Sequence, residues 1–206
     1  MTRGDIVQLP CYSPKGNLLF NIRGTNGSGK TYTLREFLGE PNKVDEWRGY
    51  RIQDFGSYCI LGNYSNACGG LDGVREFSSV KAMVAERIPQ QHVMMEGVLW
   101  STVYKSSIEL DNELREGGHT MFWMFLNTSA ERCLRQICQR RLAACDERPL
   151  PTDNVLAKIK GMNGSMVRAA NSGAWVRVGS PEEHQHFIRK CLESPRQALG
   201  IHTALI

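Results

Sequence analysis

A chain of 206 residues with 41% hydrophobic side chains is long enough to bury a core and to fold as one domain. Its 25 basic and 21 acidic side chains leave a formal charge of +4, which suits a phosphate-rich ligand and falls short of a polybasic nucleic-acid coat. Seven cysteines, at 11, 59, 68, 133, 138, 145 and 191, form no Cys-x-x-Cys pair and no zinc-like spacing with histidine, so they read as reduced thiols.

Met1 to Gln8 carry charges and lack the apolar centre of an export signal. No later window approaches the ~18 apolar residues of a membrane span. The expectation is a soluble cytoplasmic protein with no membrane partner.

The first legible element is the apolar run Leu18-Leu19-Phe20-Asn21-Ile22, which leads into Gly24-Thr25-Asn26-Gly27-Ser28-Gly29-Lys30-Thr31. Gly-x4-Gly-Lys-Thr between a strand and a helix is a phosphate-binding loop of the Walker A kind. Gly24, Gly27 and Gly29 admit torsions and a close approach that side chains would block, so successive N–H groups, from Asn26 and Ser28 as well, can turn toward phosphate oxygens. Lys30 reaches the β- and γ-phosphates, Thr31 offers its hydroxyl to Mg²⁺, and the helix start directs its positive end at the anion. A flexible glycine turn would explain the glycines but not the Lys-Thr pair. The implied cofactors are ATP, or GTP, and Mg²⁺.

Tyr32 to Leu38 has helical spacing and stops at Gly39-Glu40-Pro41. Gly49 to Tyr64 reads as a hairpin turning at Asp54-Phe55-Gly56-Ser57, where a substrate-binding insertion over 49–73 can grow. Val74 to Arg87 fits an amphipathic helix, and His92-Val93-Met94-Met95 is a strand ending at Glu96-Gly97. Leu99 to Arg115 reads as a helix broken by Gly117-Gly118, and Thr120 to Leu126 is the most apolar strand. Asn127-Thr128-Ser129 caps a helix over Ala130 to Ala144, whose far end carries Arg140 and Arg141. Asp146-Glu147-Arg148-Pro149-Leu150-Pro151 cannot continue as helix, so 140–153 is a lid candidate ahead of a helix over Asn154 to Ala169. Ala174 to Val178 is a strand, and Ser180-Pro181-Glu182-Glu183 opens a last helix to about Leu192. The tail from Pro195 has no assignment. Strands alternate with helices, so a single three-layer α/β domain over 1–206 is expected.

Several side chains suit phosphoryl transfer, which needs charge neutralisation and an aligned hydroxyl. Glu96, at a strand's carboxyl end, can hold a Mg²⁺-bound water or orient the acceptor, or is simply a strand-end acid. Arg140, Arg141 and Arg148 can close over the phosphates, or line a solvated helix face. Asp72, in Cys68-Gly69-Gly70-Leu71-Asp72-Gly73, can accept the acceptor's hydroxyl proton or cap the helix it enters. Asp54 is explained by a hairpin turn. Phe55, Tyr58, Tyr64 and Trp100 can stack on a base, although aromatic residues are more often core.

The loop 24–31, the strand ending at Glu96-Gly97 and the run Phe122-Trp-Met-Phe-Leu-Asn-Thr-Ser-Ala-Glu-Arg-Cys-Leu with Arg140-Arg141 together resemble the P-loop kinases across nearly the whole chain. That resemblance implies the three-layer P-loop NTPase fold, with a parallel five-stranded sheet in the order 2-3-1-4-5, helices on both faces and a lid. Asn42-Lys43-Val44-Asp45 matches the guanine pattern Asn-Lys-x-Asp, but it lies too soon after the loop and reads as a solvated turn. A motor or helicase would end its second key strand in Asp-Glu, whereas this one ends Met95-Glu96-Gly97.

Asn21-Ile22-Arg23 with the loop, Leu61-Gly62-Asn63-Tyr64 and Cys68 to Gly73 is similar to bacteriophage P-loop kinases, some of which phosphorylate 5-hydroxymethyluracil within phage DNA. The implied partner is DNA bearing a modified pyrimidine, its base flipped from the duplex. A small-molecule hydroxyl acceptor (free nucleoside, nucleotide or other metabolite) and a nucleotide-dependent regulatory module are the alternatives.

Overall fold

Continuous apolar runs such as Leu18 to Ile22 and Thr120 to Leu126 belong in a sheet covered on both faces, and in a computed structural model of the chain they lie side by side at its centre. The structure describes residues 6–8 as backbone, and 15–47, 49–65, 69–74, 76–150 and 152–193 in full. Met1 to Asp5, Cys11, Cys68, Pro151 and the tail from Pro195 lie outside the described residues.

The elements run β1 (Ile6–Gln8), β2 (Leu18–Arg23), α1 (Lys30–Arg35), β3 (Lys43–Trp47), β4 (Tyr50–Asp54), β5 (Tyr58–Leu61), α2 (Phe77–Arg87), β6 (His92–Glu96), α3 (Val98–Thr102), α4 (Lys105–Glu116), β7 (Thr120–Leu126), α5 (Ala130–Ala143), α6 (Thr152–Asn171), β8 (Trp175–Gly179) and α7 (Pro181–Glu193). Among the described residues the sheet has eight strands, in the order β1-β8-β7-β2-β6-β5-β4-β3. It is therefore larger than the five-stranded parallel sheet expected, and it is mixed. β5, β6, β2, β7 and β8 are parallel neighbours, while β1, β3 and β4 extend the edges antiparallel.

Alternation along β2 sorts the two faces. Leu18, Phe20 and Ile22 pack with Leu34 and Phe37 near α1 and with Phe187 and Ile188 of α7. Leu19 packs on the other face with side chains of α2, α3, α4 and α6, among them Val80, Trp100, Leu110 and Met162. α5 leans on α6 through Cys133, Ile137 and Val155. Ser129 caps α5 by accepting a hydrogen bond from the Arg132 amide at 3.3 Å. None of the helices among the described residues is long and apolar enough to cross a membrane. Cys59, Cys133, Cys138, Cys145 and Cys191 are free thiols.

Several boundaries differ from the sequence reading. The segment 99–115 is split, because Val103 takes an extended conformation (φ −86°, ψ 118°) between α3 and α4. Lys43 to Asp45, expected as a solvated turn, lie in β3, where Asp45 takes ion pairs from Lys43 at 2.7 Å and Arg87 at 2.8 Å. This strand is the outer edge of the sheet, with β4, β5 and β6 between it and β2, so Asn42 to Asp45 have no part in the phosphate-loop cleft. The 49–64 hairpin forms, and its second arm, β5, joins the sheet parallel to β6, so the segment 49–73 is partly sheet.

Candidate active site

The glycine-rich loop leaves the carboxyl end of β2 and closes on itself before α1 starts. Gly24 N–H donates to Ser101 Oγ at 2.9 Å, Ser28 N–H to the Thr25 carbonyl at 3.2 Å, and Thr128 Oγ1 to the Ser28 carbonyl at 2.7 Å. Gly27 sits at φ +73°, and a Cβ there would lie 2.4 Å from the Cys133 carbonyl oxygen, so the loop packs against α5 as only glycine allows. Lys30 is buried and its Nζ donates to the Thr25 carbonyl at 3.1 Å. Thr25 Oγ1 and Ser28 Oγ are buried without a hydrogen-bond partner among the described residues.

A cleft of about 500 Å³ opens over this loop. It is lined by Asn26 to Tyr32, by Arg35 and Asp72, and by Gln136, Gln139 and Arg140 of α5. A concave surface of backbone amides with cationic walls suits a triphosphate.

At the carboxyl end of β6, Glu96 Oε1 accepts a hydrogen bond from Thr31 Oγ1 at 2.7 Å, while Oε2 has no partner among the described residues. Burial pushes the Glu96 carboxyl up to about 7, against the pull of Lys30 and the Thr31 hydrogen bond, and Asp72 adds to the rise. The loop 69–74 lies directly over it. Gly70 has φ +77°, a Cβ there would be 2.6 Å from Glu96 Cδ, and Leu71 N–H donates to the Glu96 carbonyl at 2.9 Å. No cluster of three or more His, Cys, Asp or Glu able to hold a metal occurs among the described residues. A hydroxyl and one carboxylate with a spare oxygen are the donors that fit a Mg²⁺ completing its shell with phosphate oxygens and water.

Asp72 is exposed and lines the cleft, and its Oδ1 accepts the Val98 amide at 2.8 Å. It therefore serves the start of α3. The helix that follows it in sequence, α2, has Glu76 as its N-cap. Asp54 Oδ1 holds the Gly56 amide at 2.7 Å, a turn role.

Of Arg140, Arg141 and Arg148, Arg140 lines the cleft and the other two do not. Arg141 Nη1 donates to the carbonyls of Arg148 at 2.8 Å and Pro149 at 2.5 Å, and Arg148 makes a two-point contact with Asp146 at 2.8 and 2.6 Å. The Arg148 guanidinium holds the Asp146 carboxyl well below the usual range. These two arginines shape the segment 144–150 and do not line the cleft, because Asp146 and the segment's own carbonyls claim them first.

The aromatic residues are packed among themselves. Phe55 stacks on Tyr58 at 5.1 Å, Tyr58 donates to the Phe37 carbonyl at 2.9 Å, and Trp100 meets Phe77 edge-on at 5.0 Å. Tyr64 fits beside Thr31 above Gly69, its hydroxyl buried and without a partner among the described residues. None of the four is an open stacking platform.

Two cations escaped the sequence reading. Lys158 lies on α6 between Val155 and Met162, both buried; burial and then the Lys30 charge lower its pKa, and Asp72 raises it. A lysine within an apolar stripe is the signal that could have found it. Arg23, the last residue of β2, is fully buried. A charge ending an apolar strand was its signal.

A scan against protein-family models finds no match. Among curated proteins, the "5-hmdU DNA kinase" of Pseudomonas phage M6 is 31% identical over 173 residues, covering 76% of this chain and 88% of that protein. The protein of the same name from Delftia phage PhiW-14 is 29% identical over 175 residues (78% and 67%), and that of Pseudomonas phage PaMx11 is 28% identical over 188 residues (85% and 97%). Among solved structures, a de novo designed protein of P-loop NTPase fold aligns with a TM-score of 0.41 at 11% identity, covering 92% of this chain and 99% of that one. The chain is a P-loop kinase and belongs to the family of these phage 5-hmdU DNA kinases.

Proposed function

We propose that this protein transfers the γ-phosphate of ATP to the hydroxymethyl oxygen of 5-hydroxymethyluracil in DNA. The acceptor follows from the names of its relatives, and the single observation behind the chemistry is the Thr31 hydroxyl set 2.7 Å from Glu96 at the mouth of the glycine loop. The hydroxymethyl oxygen bonds to the γ-phosphorus, the bond from that phosphorus to the β,γ-bridging oxygen breaks, and ADP leaves with the bridging oxygen. The hydroxyl proton passes to Asp72 or Glu96 and then to solvent.

The amides of 24–31 hold the phosphates, with Gly24, Asn26, Gly27, Ser28 and Gly29 keeping the backbone close. Lys30 turns from the Thr25 carbonyl to the γ-phosphate, and Arg140 balances charge from the α5 wall. A magnesium ion bound with the nucleotide at Thr31 and Glu96 supplies charge neutralisation there. The whole of 1–206 acts as one kinase domain, with 49–73 on the acceptor side and 140–153 as the lid. Arg148, through Asp146, and Arg141, through the carbonyls of Arg148 and Pro149, order that lid. A base inside a duplex is out of reach of this cleft, so the target base is flipped out to react.

The deciding experiment incubates the protein with γ-labelled ATP and one of three acceptors: DNA containing 5-hydroxymethyluracil, plain DNA, or free nucleosides and nucleotides. Label on the modified DNA alone is expected. Label on free nucleosides or nucleotides alone would make it a metabolite kinase, and no transfer despite nucleotide binding would make it a regulatory module.

A further inference from the structure

The glycine loop leaves β2, and β2 lies between β6 and β7, so the cleft over the loop has a β6 half and a β7 half. Asp72 belongs to the β6 half, because Leu71 N–H donates to the Glu96 carbonyl at 2.9 Å and Val98 N–H to Asp72 Oδ1 at 2.8 Å. Gln136 and Gln139 belong to the β7 half, on α5, the helix that follows β7 and packs on Gly27 through the Cys133 carbonyl. The γ-phosphate, placed at Thr31 and Glu96, takes the β6 half. The nucleoside end of the donor then runs into the β7 half, and the cleft of about 500 Å³ is of the size that takes a small-molecule ligand.

A planar base meets Tyr32 there. Tyr32 follows Thr31, lines the cleft and is 56% exposed, whereas Phe55, Tyr58 and Tyr64 are half-buried and Trp100 is buried. Gln185 Nε2 donates to the Tyr32 carbonyl at 3.1 Å, so the backbone is held while the ring has no aromatic or hydrogen-bond partner among the described residues. Gln136 is half-buried and Gln139 exposed, three residues apart on one face of α5, and neither carboxamide is hydrogen-bonded among the described residues.

A carboxamide carries an acceptor and a donor side by side. Facing adenine, Oε1 receives N6–H while Nε2 donates to N1 or N7. Turned over, Nε2 donates to O6 of guanine while Oε1 receives N1–H. A site discriminates between these bases when its polar groups are fixed and dry, and nothing among the described residues fixes either glutamine. Water reaches both, so an unmade bond costs little. A carboxylate would favour guanine, whose N1–H and N2–H both donate. Asp72 is the carboxylate that lines the cleft, and it stands in the β6 half on the Val98 amide.

Resting on the nucleotide site of the reading above and not on its acceptor, we propose that Tyr32 stacks on the donor's base and that Gln136 and Gln139 accept adenine or guanine, so that ATP and GTP serve alike as donors.

The test measures Kd with the full chain and Mg²⁺ for non-hydrolysable analogues of ATP and GTP and for inorganic tripolyphosphate, in wild type, Tyr32→Ala and Gln136→Glu. Wild type is expected to bind the two analogues within about tenfold of each other. Tyr32→Ala is expected to lose about tenfold for both analogues and to keep its tripolyphosphate affinity, since stacking is lost and the loop is not. Gln136→Glu, which exchanges the donor for a second acceptor, is expected to move the ratio of the two affinities about tenfold toward the GTP analogue. A larger wild-type preference for either analogue overturns the inference. So does a Tyr32→Ala protein that keeps both analogue affinities, or that loses tripolyphosphate in step with them, which marks a distorted loop. An unchanged ratio in Gln136→Glu overturns it as well. These readouts need no acceptor, so a failure to label modified DNA removes the acceptor reading and leaves this inference standing. A wild type that binds neither analogue removes the nucleotide site that both share.

Discussion

Thr31, in the first turn of α1, donates to Glu96 at 2.7 Å and so ties the glycine loop to the neighbouring strand through a carboxylate that burial has pushed up to about 7. The folded value lies above the unfolded value of 4.5, so folding disfavours the ionised form. Stability from this group is fully present below pH 4.5 and is lost as pH rises through 7. Glu96→Gln keeps an oxygen for Thr31 and cannot ionise. Without nucleotide it is expected to be more stable than wild type at pH 8 by about 3 kcal/mol, a gain that vanishes near pH 4.5, while phosphate transfer falls by about 10²-fold or more. Thermal melts at both pH values and turnover at pH 8 check this. Equal melting temperatures at pH 8 would remove the account of Glu96 as a buried acid held at a functional position.

Lys30 is buried, and its ammonium rests on the Thr25 carbonyl at 3.1 Å rather than on an acid. Its proposed role is charge on a bound phosphate, and all it contributes to the fold by hydrogen bonding is one bond to a loop carbonyl. Lys30→Ala is expected to lower kcat by about 10²- to 10³-fold, the loss seen when one donor to a developing charge is removed, with the fold kept intact. Steady-state turnover alongside far-UV circular dichroism measures both halves. A variant that still turns over would contradict the whole nucleotide site.

The arginines separate by partner. Arg140 lines the cleft, so Arg140→Ala is expected to slow transfer by about 10²-fold with little change in melting. Arg148 is spent on Asp146 at an exposed site, and its alanine variant should keep turnover within about twofold. Arg141→Ala frees the carbonyls of Arg148 and Pro149, so faster proteolysis within 144–150 is the readout. Equal kinetic losses for Arg140→Ala and Arg148→Ala would mean that the lid rearranges wholesale on binding nucleotide.

The parts of this site that the sequence makes legible are those where one segment carries the whole signal. Gly24 to Thr31 is local and chemical, and Leu18 to Ile22 and Thr120 to Leu126 are apolar throughout because helices cover both faces of their sheet. β3 is the opposite case. Lys43-Val44-Asp45-Glu46-Trp47 is an edge strand with mostly solvated side chains, so its pattern is that of a loop and only pairing with β4 makes it a strand. The break between α3 and α4 has no glycine or proline to announce it and is imposed by packing around Val103, whose carbonyl receives Arg23. The arginines' partition was equally hidden, because it depends on where Asp146 stands in space. Arg23 and Lys158 look like stray charges in apolar patterns until the helices meet over them.

His184 of α7 is buried under the sheet, with Nε2 3.1 Å from the Phe125 carbonyl oxygen and Nδ1 without a partner among the described residues. With a carbonyl as the only partner, Nε2 carries the proton and donates, and the ring is neutral. Burial lowers its pKa to about 4, against the favourable pull of that carbonyl. The folded value lies below the unfolded value of 6.5, so the unfolded chain binds the extra proton. The contribution is fully present above pH 6.5 and is lost as pH falls toward 4, by about 3 kcal/mol in all. This runs against the Glu96 effect, which strengthens the fold over much of the same interval, so wild-type melts alone would blur the two. His184→Gln retains a donor for the Phe125 carbonyl and has no proton to gain. Urea unfolding of wild type and His184→Gln at pH 7.5 and 4.5 is expected to show wild type ahead at the higher pH and the difference shrinking or reversing at the lower. A gap that stays constant between the two pH values would show that this imidazole does not titrate on unfolding.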